Sequence, residues 1–309
     1  MLNLLIFESI TANLKNIKKS PKLLSQKDFM SMKMQGKAMV DALYSDLKHV
    51  KQLNTTIGKQ RFGENALDFF SDIIPKVDLV WVIAPESDGE LERFHIASQK
   101  KLWIGSGLKA IRLASNKLET KKYLKSLGIN TPDKITFKSL KKKKYTKAVY
   151  KPIDGAGTTD TYIIETEKNI INTLSKKRSC FFLEEWVEGT AYSVSLNCNN
   201  SDFEILSINK QYITSNHLGK LFYGGVKPVE NKMFKKLHKS ILPIISLIAA
   251  NINGLRGFIG IDFILKENSQ ISIIEINPRL TCSYIGISKY KKSNAALKIL
   301  NSFEIKNLV

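Results

Sequence analysis

Cysteine is scarce in this sequence and never clustered. Cys180, Cys198 and Cys282 lie far apart, which excludes a disulfide framework and a short-spaced cysteine zinc site and points to a reducing compartment. Histidine is equally thin: His49, His95, His217 and His238 show no ligand spacing. No serine sits in a G-x-S-x-G elbow, so the usual nucleophile signature is missing. Long apolar runs are missing too. The longest, residues 241–250, carries Pro243 and Ser246 and is about half of the roughly 20 residues a membrane span requires. Residues 1–8 are apolar without a basic leader or cleavage site, so they read as a strand and not as a signal peptide. The expectation is a soluble, cytoplasmic protein with no membrane partner.

Acids are in short supply: 28 Asp and Glu against 48 Lys and Arg leave a net charge of +20. That balance invites a nucleic-acid-binding reading. The lysines, however, are spread along the whole chain, and the one run, Lys141 to Lys144, contains neither arginine nor aromatics, which nucleic-acid surfaces usually interleave. A positive field also favours small anionic substrates. With 309 residues and 43% apolar content, the chain can bury a full core shared by two or three small subdomains.

The first hundred residues alternate strand and helix. Strands are expected at 4–7, 77–84 and 102–104. Helices are expected at 35–50, where Met39, Ala42, Leu43, Leu47 and Val50 recur at helical spacing, and at 89–100. This is a βαβ pattern, so a small doubly wound Rossmann-like domain is predicted. Beyond it, Ser115 is expected to cap a helix that stops at Gly128. Short strands follow at 134–137, 148–152, 161–164, 180–186, 192–196 and 203–208, with a helix over 167–176 among them. A long helix over 233–251, two final strands and a last helix over 295–300 complete an α+β pattern.

The last two strands carry the strongest chemical signal. Residues 257–265 and 271–277 flank a polar turn. With Asn268 and Ser269 as the loop, residues whose numbers sum to 537 face each other, so Asp262 opposes Glu275. Asn277 shares the face of Glu275 by the two-residue period. Two carboxylates and an amide inside apolar strands need a cation, and an oxygen-only donor set points to magnesium or manganese on substrate phosphates. Arg279 follows and suits a phosphoryl oxygen. The competing reading is a structural ion pair with Arg279 or Arg256, which leaves Asn277 unexplained. Lys151 ends a strand before Asp154-Gly155-Ala156-Gly157, a turn whose glycines let backbone N–H groups approach phosphate; a plain β-turn accounts for it equally well. Glu184 to Gly189 offers an acidic edge beside apolar residues that could pair with an adenine amino group, or be a solvated edge strand.

The order Lys117, Lys151 with its glycine turn, Glu184 to Gly189, Asp262, then Glu275-x-Asn277-Pro278-Arg279 resembles the ATP-grasp superfamily over about residues 107–309. That resemblance implies an N-terminal Rossmann-like domain (1–106) and an ATP-grasp domain (107–309) whose two α+β subdomains, 107–186 with the lid and 187–309 with the metal site, enclose ATP. It implies that Lys117 and Lys151 touch phosphates and that Asp154, Gly155, Ala156 and Gly157 close over them. Glu184, with Glu185, Trp186, Val187 and Glu188, would hold adenine and ribose, Glu188 standing in for the ribose-binding acid because Ala191 occupies that position. Asp262, Glu275 and Asn277 would bind two Mg2+ or Mn2+ ions. A narrower resemblance, carried by Ile6-Phe7-Glu8, residues 35–39, 83–89, 209–213 and 223–226 and Asn277-Pro278-Arg279-Leu280-Thr281, is to the tyramine–L-glutamate ligases of methanofuran-type cofactor biosynthesis. Gln35 and Lys210 depart from that pattern, standing where an acid and an arginine are expected. The implied reaction joins the γ-carboxylate of glutamate to the amine of tyramine through an acyl phosphate, with Arg279 and Lys210 as catalytic residues. Lys210 would hold a carboxylate of glutamate, and Glu8, Glu86 or Asp88 an ammonium. Another ATP-grasp amino-acid or peptide ligase is the alternative, and a homo-oligomer is compatible with either.

Overall fold

The computed structural model describes residues 1–12, 26–59, 65–142, 145–165 and 180–305. The expected helix over 167–176 lies outside the described residues. The first sheet is parallel, in the order β2-β1-β3-β4, built from β1 (Leu2–Glu8), β2 (Leu53–Ile57), β3 (Leu79–Ile83) and β4 (Leu102–Trp103). The short helix α1 (Ser9–Ala12) follows β1. Strand alternation distributes β1 to two cores. Leu4 and Ile6 pack on α2 (Gln26–Leu47), through Met39, Leu43 and Leu47. Leu5 and Phe7 point the other way, toward α3 (Ala66–Ile73) and α4 (Glu90–Ala97). There Phe7, Phe70 and Phe94 stack in tilted and edge-on pairs with centroids 5.0–5.1 Å apart. Both faces of the sheet are covered, as a parallel sheet requires. Helix α2 starts nine residues before the expected boundary. Its first turns place Met30 and Met34 in solvent, so the apolar period that marks a helix begins only where α2 reaches the core.

Helices α5 (Leu108–Ser115) and α6 (Lys117–Ser126) lead into the rest of the chain. Ser115 is not the cap expected of it. Ser115 closes α5, donating its hydroxyl to Ile111 O at 2.7 Å, and the cap of α6 is Asn116, whose side chain accepts from the N–H groups of Leu118 and Glu119 at 3.1 Å each. Both residue types make good caps; the helix–helix joint selects the second.

A four-stranded antiparallel sheet, order β5-β8-β6-β7, contains β5 (Lys134–Ile135), β6 (Ala148–Pro152), β7 (Tyr162–Ile164) and β8 (Phe181–Glu185). The strand expected over 134–137 is cut short because Thr136 and Ser139 form a capping box that starts α7 (Phe137–Lys141). The third sheet has order β11-β10-β9-β12-β13, with β9 (Thr190–Asn199), β10 (Asp202–Ser215), β11 (Leu221–Pro228), β12 (Arg256–Leu265) and β13 (Ile271–Asn277), all antiparallel. Helix α8 (Asn231–Asn251) lays Leu237, Ile241, Ile245 and Ile248 on this sheet, beside Ala110, Ala114 and Leu124 from α5 and α6. The chain closes with α9 (Ile287–Lys291) and α10 (Ala295–Asn301). Tyr284, Ala296 and Ile299 pack in the same cluster as α2, so the parallel sheet and the five-stranded sheet share one core. The tip of the β10–β11 hairpin also reaches the four-stranded sheet: Ile163 N donates to Gly219 O at 2.7 Å and Leu221 N to Thr161 O at 2.9 Å. No helix among the described residues is long and apolar enough to cross a membrane.

Candidate active site

The three sheets converge on one cavity of about 1100 Å³. One wall is the β12–β13 hairpin. Asp262 and Glu275 are register partners, as expected, but by a different route. The turn closes between Lys266 and Gln270 around three residues, with Ser269 left-handed at φ 65°. This turn sets Leu265 opposite Ile271 and Phe263 opposite Ile273, a sum of 536. A bulge at Ile274 then adds one residue and restores Asp262 opposite Glu275. A bulge places two successive side chains on one side of a strand. Accordingly Ile271, Ile273 and Ile276 face the core, while Ile274, Glu275 and Asn277 line the cavity with Asp262.

The acids are held close. Asn277 Nδ2 donates to Asp262 Oδ2 at 3.3 Å, and Gln211 Nε2 donates to Oδ1 at 2.9 Å. Burial, and then the neighbouring Glu275, push the Asp262 carboxyl up to about 7. Lys117 Nζ lies 3.2 Å from Glu275 Oε1. The donors are hard oxygens, and one carboxyl is unsettled by its neighbour, so the set fits a divalent cation. Among the described residues no group of three or more His, Cys, Asp or Glu could hold a metal; the set here is two carboxylates and an amide. Arg256 is not part of it, since its guanidinium stacks on Phe303 at 4.6 Å.

Arg279 lines the cavity and reaches across to the first sheet, where Nη2 donates to Glu86 Oε2 at 2.9 Å. Burial alone would lower its pKa, but Glu86 outweighs burial and keeps the guanidinium charged. Helix α6 supplies the floor. Lys117 Nζ donates to Gly155 O at 2.6 Å, and Lys117 N donates to Ile153 O at 3.0 Å. The glycine turn is thereby tied, through Lys117, to the β12–β13 wall. Gly155 and Gly157 adopt φ of 144° and 63°, conformations that glycine reaches without strain. Ala156 and Gly157 line the cavity; Asp154 instead accepts from Asp88 N at 2.9 Å, joining this turn to the first domain.

Lys151 lies 2.6 Å from Glu184 Oε1, and Lys121 lies 2.9 Å from Oε2. Burial opposes the ionised Glu184, but Lys151 and Lys121 outweigh it and hold the carboxyl below its usual value. Glu185, Trp186 and Val187 line the cavity; Glu188 lies outside it, 75% exposed and facing Lys147. Ala191 lines the cavity.

The opposite wall is α2, whose Asp28, Ser31, Met32, Gln35, Gly36 and Met39 recur on one helical face. Against it stands Glu8 at the carboxyl end of β1. This end of a doubly wound sheet is where ligands gather. Glu8 is buried and accepts from Ile10 N at 3.3 Å and Thr11 N at 2.5 Å. Burial pushes its carboxyl up to about 7. A Cβ on Gly36 would stand 2.6 Å from Glu8 Cδ, so only glycine leaves the carboxylate its place. Lys210 is exposed at the cavity edge. Of the three acids expected to hold an ammonium, Glu8 lines the cavity, Glu86 is committed to Arg279, and Asp88 is exposed outside it. Sequence reasoning missed Lys121 and Gln211. Lys121 had a readable signal, one helical turn from Lys117 on the same face; Gln211 lies in the 209–213 stretch that carries the narrower resemblance, beside the Lys210 that was singled out.

Known proteins resemble this chain in sequence and in fold. Residues 114–283 match the ATP-grasp domain model and residues 39–111 the pre ATP-grasp 3 domain model. The chain is 28% identical to a tyramine–L-glutamate ligase from Methanocaldococcus fervens over 87% of each chain. A crystal structure of an ATP-grasp superfamily protein from Archaeoglobus fulgidus superposes with a TM-score of 0.72 at 20% identity, covering 97% of this chain and 88% of that one. The VanG D-Ala:D-Ser ligase from Enterococcus faecalis shares the fold, with a TM-score of 0.68 at 12% identity over 98% and 99% of the two chains. The family match spans more than half of the chain, and with it the chain belongs to the ATP-grasp family, as an ATP-dependent carbon–nitrogen ligase.

Proposed function

We propose that the chain joins the γ-carboxylate of L-glutamate to the amine of tyramine, or of a close arylalkylamine, at the expense of ATP. The observation that carries this reading is the meeting, in one cavity, of a phosphate-directed half and an amine-directed half. Asp262, Glu275, Asn277, Lys117, Lys151 and Arg279 form the first, and the buried Glu8 beside Gly36 the second. The likeness to tyramine–L-glutamate ligase over most of the chain supports the choice of substrates.

In the proposed reaction a γ-carboxylate oxygen of glutamate attacks the γ-phosphorus. The bond to the β,γ-bridging oxygen breaks and ADP departs. The amine nitrogen then attacks the acyl carbon of the γ-glutamyl phosphate, the carbon–oxygen bond to phosphate breaks, and the nitrogen loses a proton as the amide forms. Magnesium, the general companion of ATP in this family, would neutralise phosphate charge at Asp262, Glu275 and Asn277. Lys117 and Lys151 steady the phosphates, and the turn from Asp154 to Gly157 covers them. Arg279 stabilises the transferring phosphoryl group, an anion that needs a fixed charge and no proton donor. With both Glu184 oxygens on lysines, adenine recognition falls to the edge formed by Glu185, Trp186 and Val187. Lys210 takes a carboxylate of glutamate, and Glu8 takes the ammonium.

Acceptor-dependent ADP release tests the reading. Tyramine with glutamate should stimulate release, and omission of either should abolish it. No response to that pair, with a response to another carboxylate and amine, would transfer the chain to a different ATP-grasp ligase activity.

A further inference from the structure

Lys117 and Lys121 stand one turn apart on α6, and both are buried. Like charges at this spacing weaken a helix, and a buried ammonium is costly, so helix formation gives no account of Lys121. Lys117 faces the cavity; Lys121 does not. It lies behind Glu184, whose two oxygens are bracketed by Lys121 at 2.9 Å and Lys151 at 2.6 Å. None of the three side chains is more than 7% exposed. Two ammoniums around one carboxylate leave one positive charge in excess at the edge of the cavity. Among the described residues neither Lys121 Nζ nor Glu184 Oε2 has a hydrogen-bond partner outside this ion pair.

We propose that Lys121 is a positioning residue for the nucleotide, acting through Glu184. By holding the far oxygen it keeps Lys151 from closing into a one-to-one pair, leaves the Lys151 charge directed at the phosphates, and binds a proton when they arrive. The inference rests on ATP occupying this cavity. The charged groups acting on Lys121 come from three strands: Glu184 on β8, Lys151 on β6 and Glu275 on β13, with Lys117 one turn back on its own helix. Burial lowers the Lys121 ammonium to about 8; Glu184 opposes that and Lys151 adds to it. Phosphate charge entering beside Lys151 favours the protonated form.

The test is calorimetric titration of a non-hydrolysable ATP analogue with magnesium at pH 8, in two buffers of different ionisation enthalpy. Wild type should take up a fraction of a proton. Lys121→Met should bind about tenfold more weakly, the scale of a lost interaction with a charged group, and take up none. Lys121→Arg, which stays charged, should bind within about twofold of wild type and also take up none. Unchanged affinity and uptake in Lys121→Met, or unchanged uptake in Lys121→Arg, overturns the inference and leaves the ligase reading standing. No analogue binding by wild type overturns both.

Discussion

Arg279 and Glu86 meet at 2.9 Å across 193 residues of sequence, one from the end of the third sheet's last strand and the other from the loop after β3. Their side chains are 10% and 4% exposed. Removing one member leaves the other charged and buried, which costs on the order of 3–5 kcal/mol. Arg279→Met should therefore lower both stability and turnover. Glu86→Gln combined with Arg279→Met should recover part of the stability and none of the turnover. Denaturant melts with ADP-release assays on the single and double variants check this; recovery of activity in the double variant would remove Arg279 from the chemistry.

Glu8 makes stability depend on pH. Its folded pKa of about 7 stands above the unfolded value of 4.5, so the folded chain binds more protons between those values. Its contribution favours folding below about pH 4.5, declines as pH rises toward 7, and is constant above that. The swing is on the order of 3 kcal/mol. Glu8→Gln should flatten this part of the profile in denaturant titrations from pH 5 to 8, and should weaken amine binding most above about pH 7, where Glu8 is ionised. A wild-type profile that rises over this range would contradict the burial argument.

Glu275 is both a proposed metal donor and the partner of Lys117 at 3.2 Å. Glu275→Ala should reduce magnesium-dependent ADP release by roughly 100-fold or more, the scale of losing a preorganised charge at the transferring group. Glu275→Asp should keep part of it. Unchanged release in Glu275→Ala would remove this residue from the metal wall.

Gly219 has φ of 78°, and a Cβ there would stand 2.2 Å from Ile163 O. Gly219→Ala must push the hairpin tip away from β7, at a cost of about 1–3 kcal/mol. The tip bridges the two antiparallel sheets that flank the cavity, so KM for ATP should rise more than kcat falls. Steady-state kinetics with a thermal melt separates this outcome from simple loss of folded protein.

The sequence made the local, periodic features legible. The continuous apolar run around Trp81 gave β3, the spacing of Leu43 and Leu47 gave α2, and strand 148–152 was read to the residue. The Asp262–Glu275 pairing was legible in outcome but not in cause: a two-residue loop was expected, and a three-residue turn plus a bulge arrive at the same partners. What stayed hidden depends on long-range packing. Lys121 is marked by its place one turn from Lys117, but its partner Glu184 appears only when β8 is laid beside α6. Glu86 reads as a ligand until Arg279 reaches it. Asn116 and Ser115 are equally good caps until the α5–α6 joint chooses between them.

Ile274 is a spare step in the two-step alternation of β13. Its loss would close the ladder, with Glu275 still opposite Asp262 and Asn277 still on the cavity side. A residue gained in the same stretch has no such outlet and would turn one of those polar side chains into the isoleucine layer. Among descendants of this chain, that strand should shorten by one residue more readily than it lengthens.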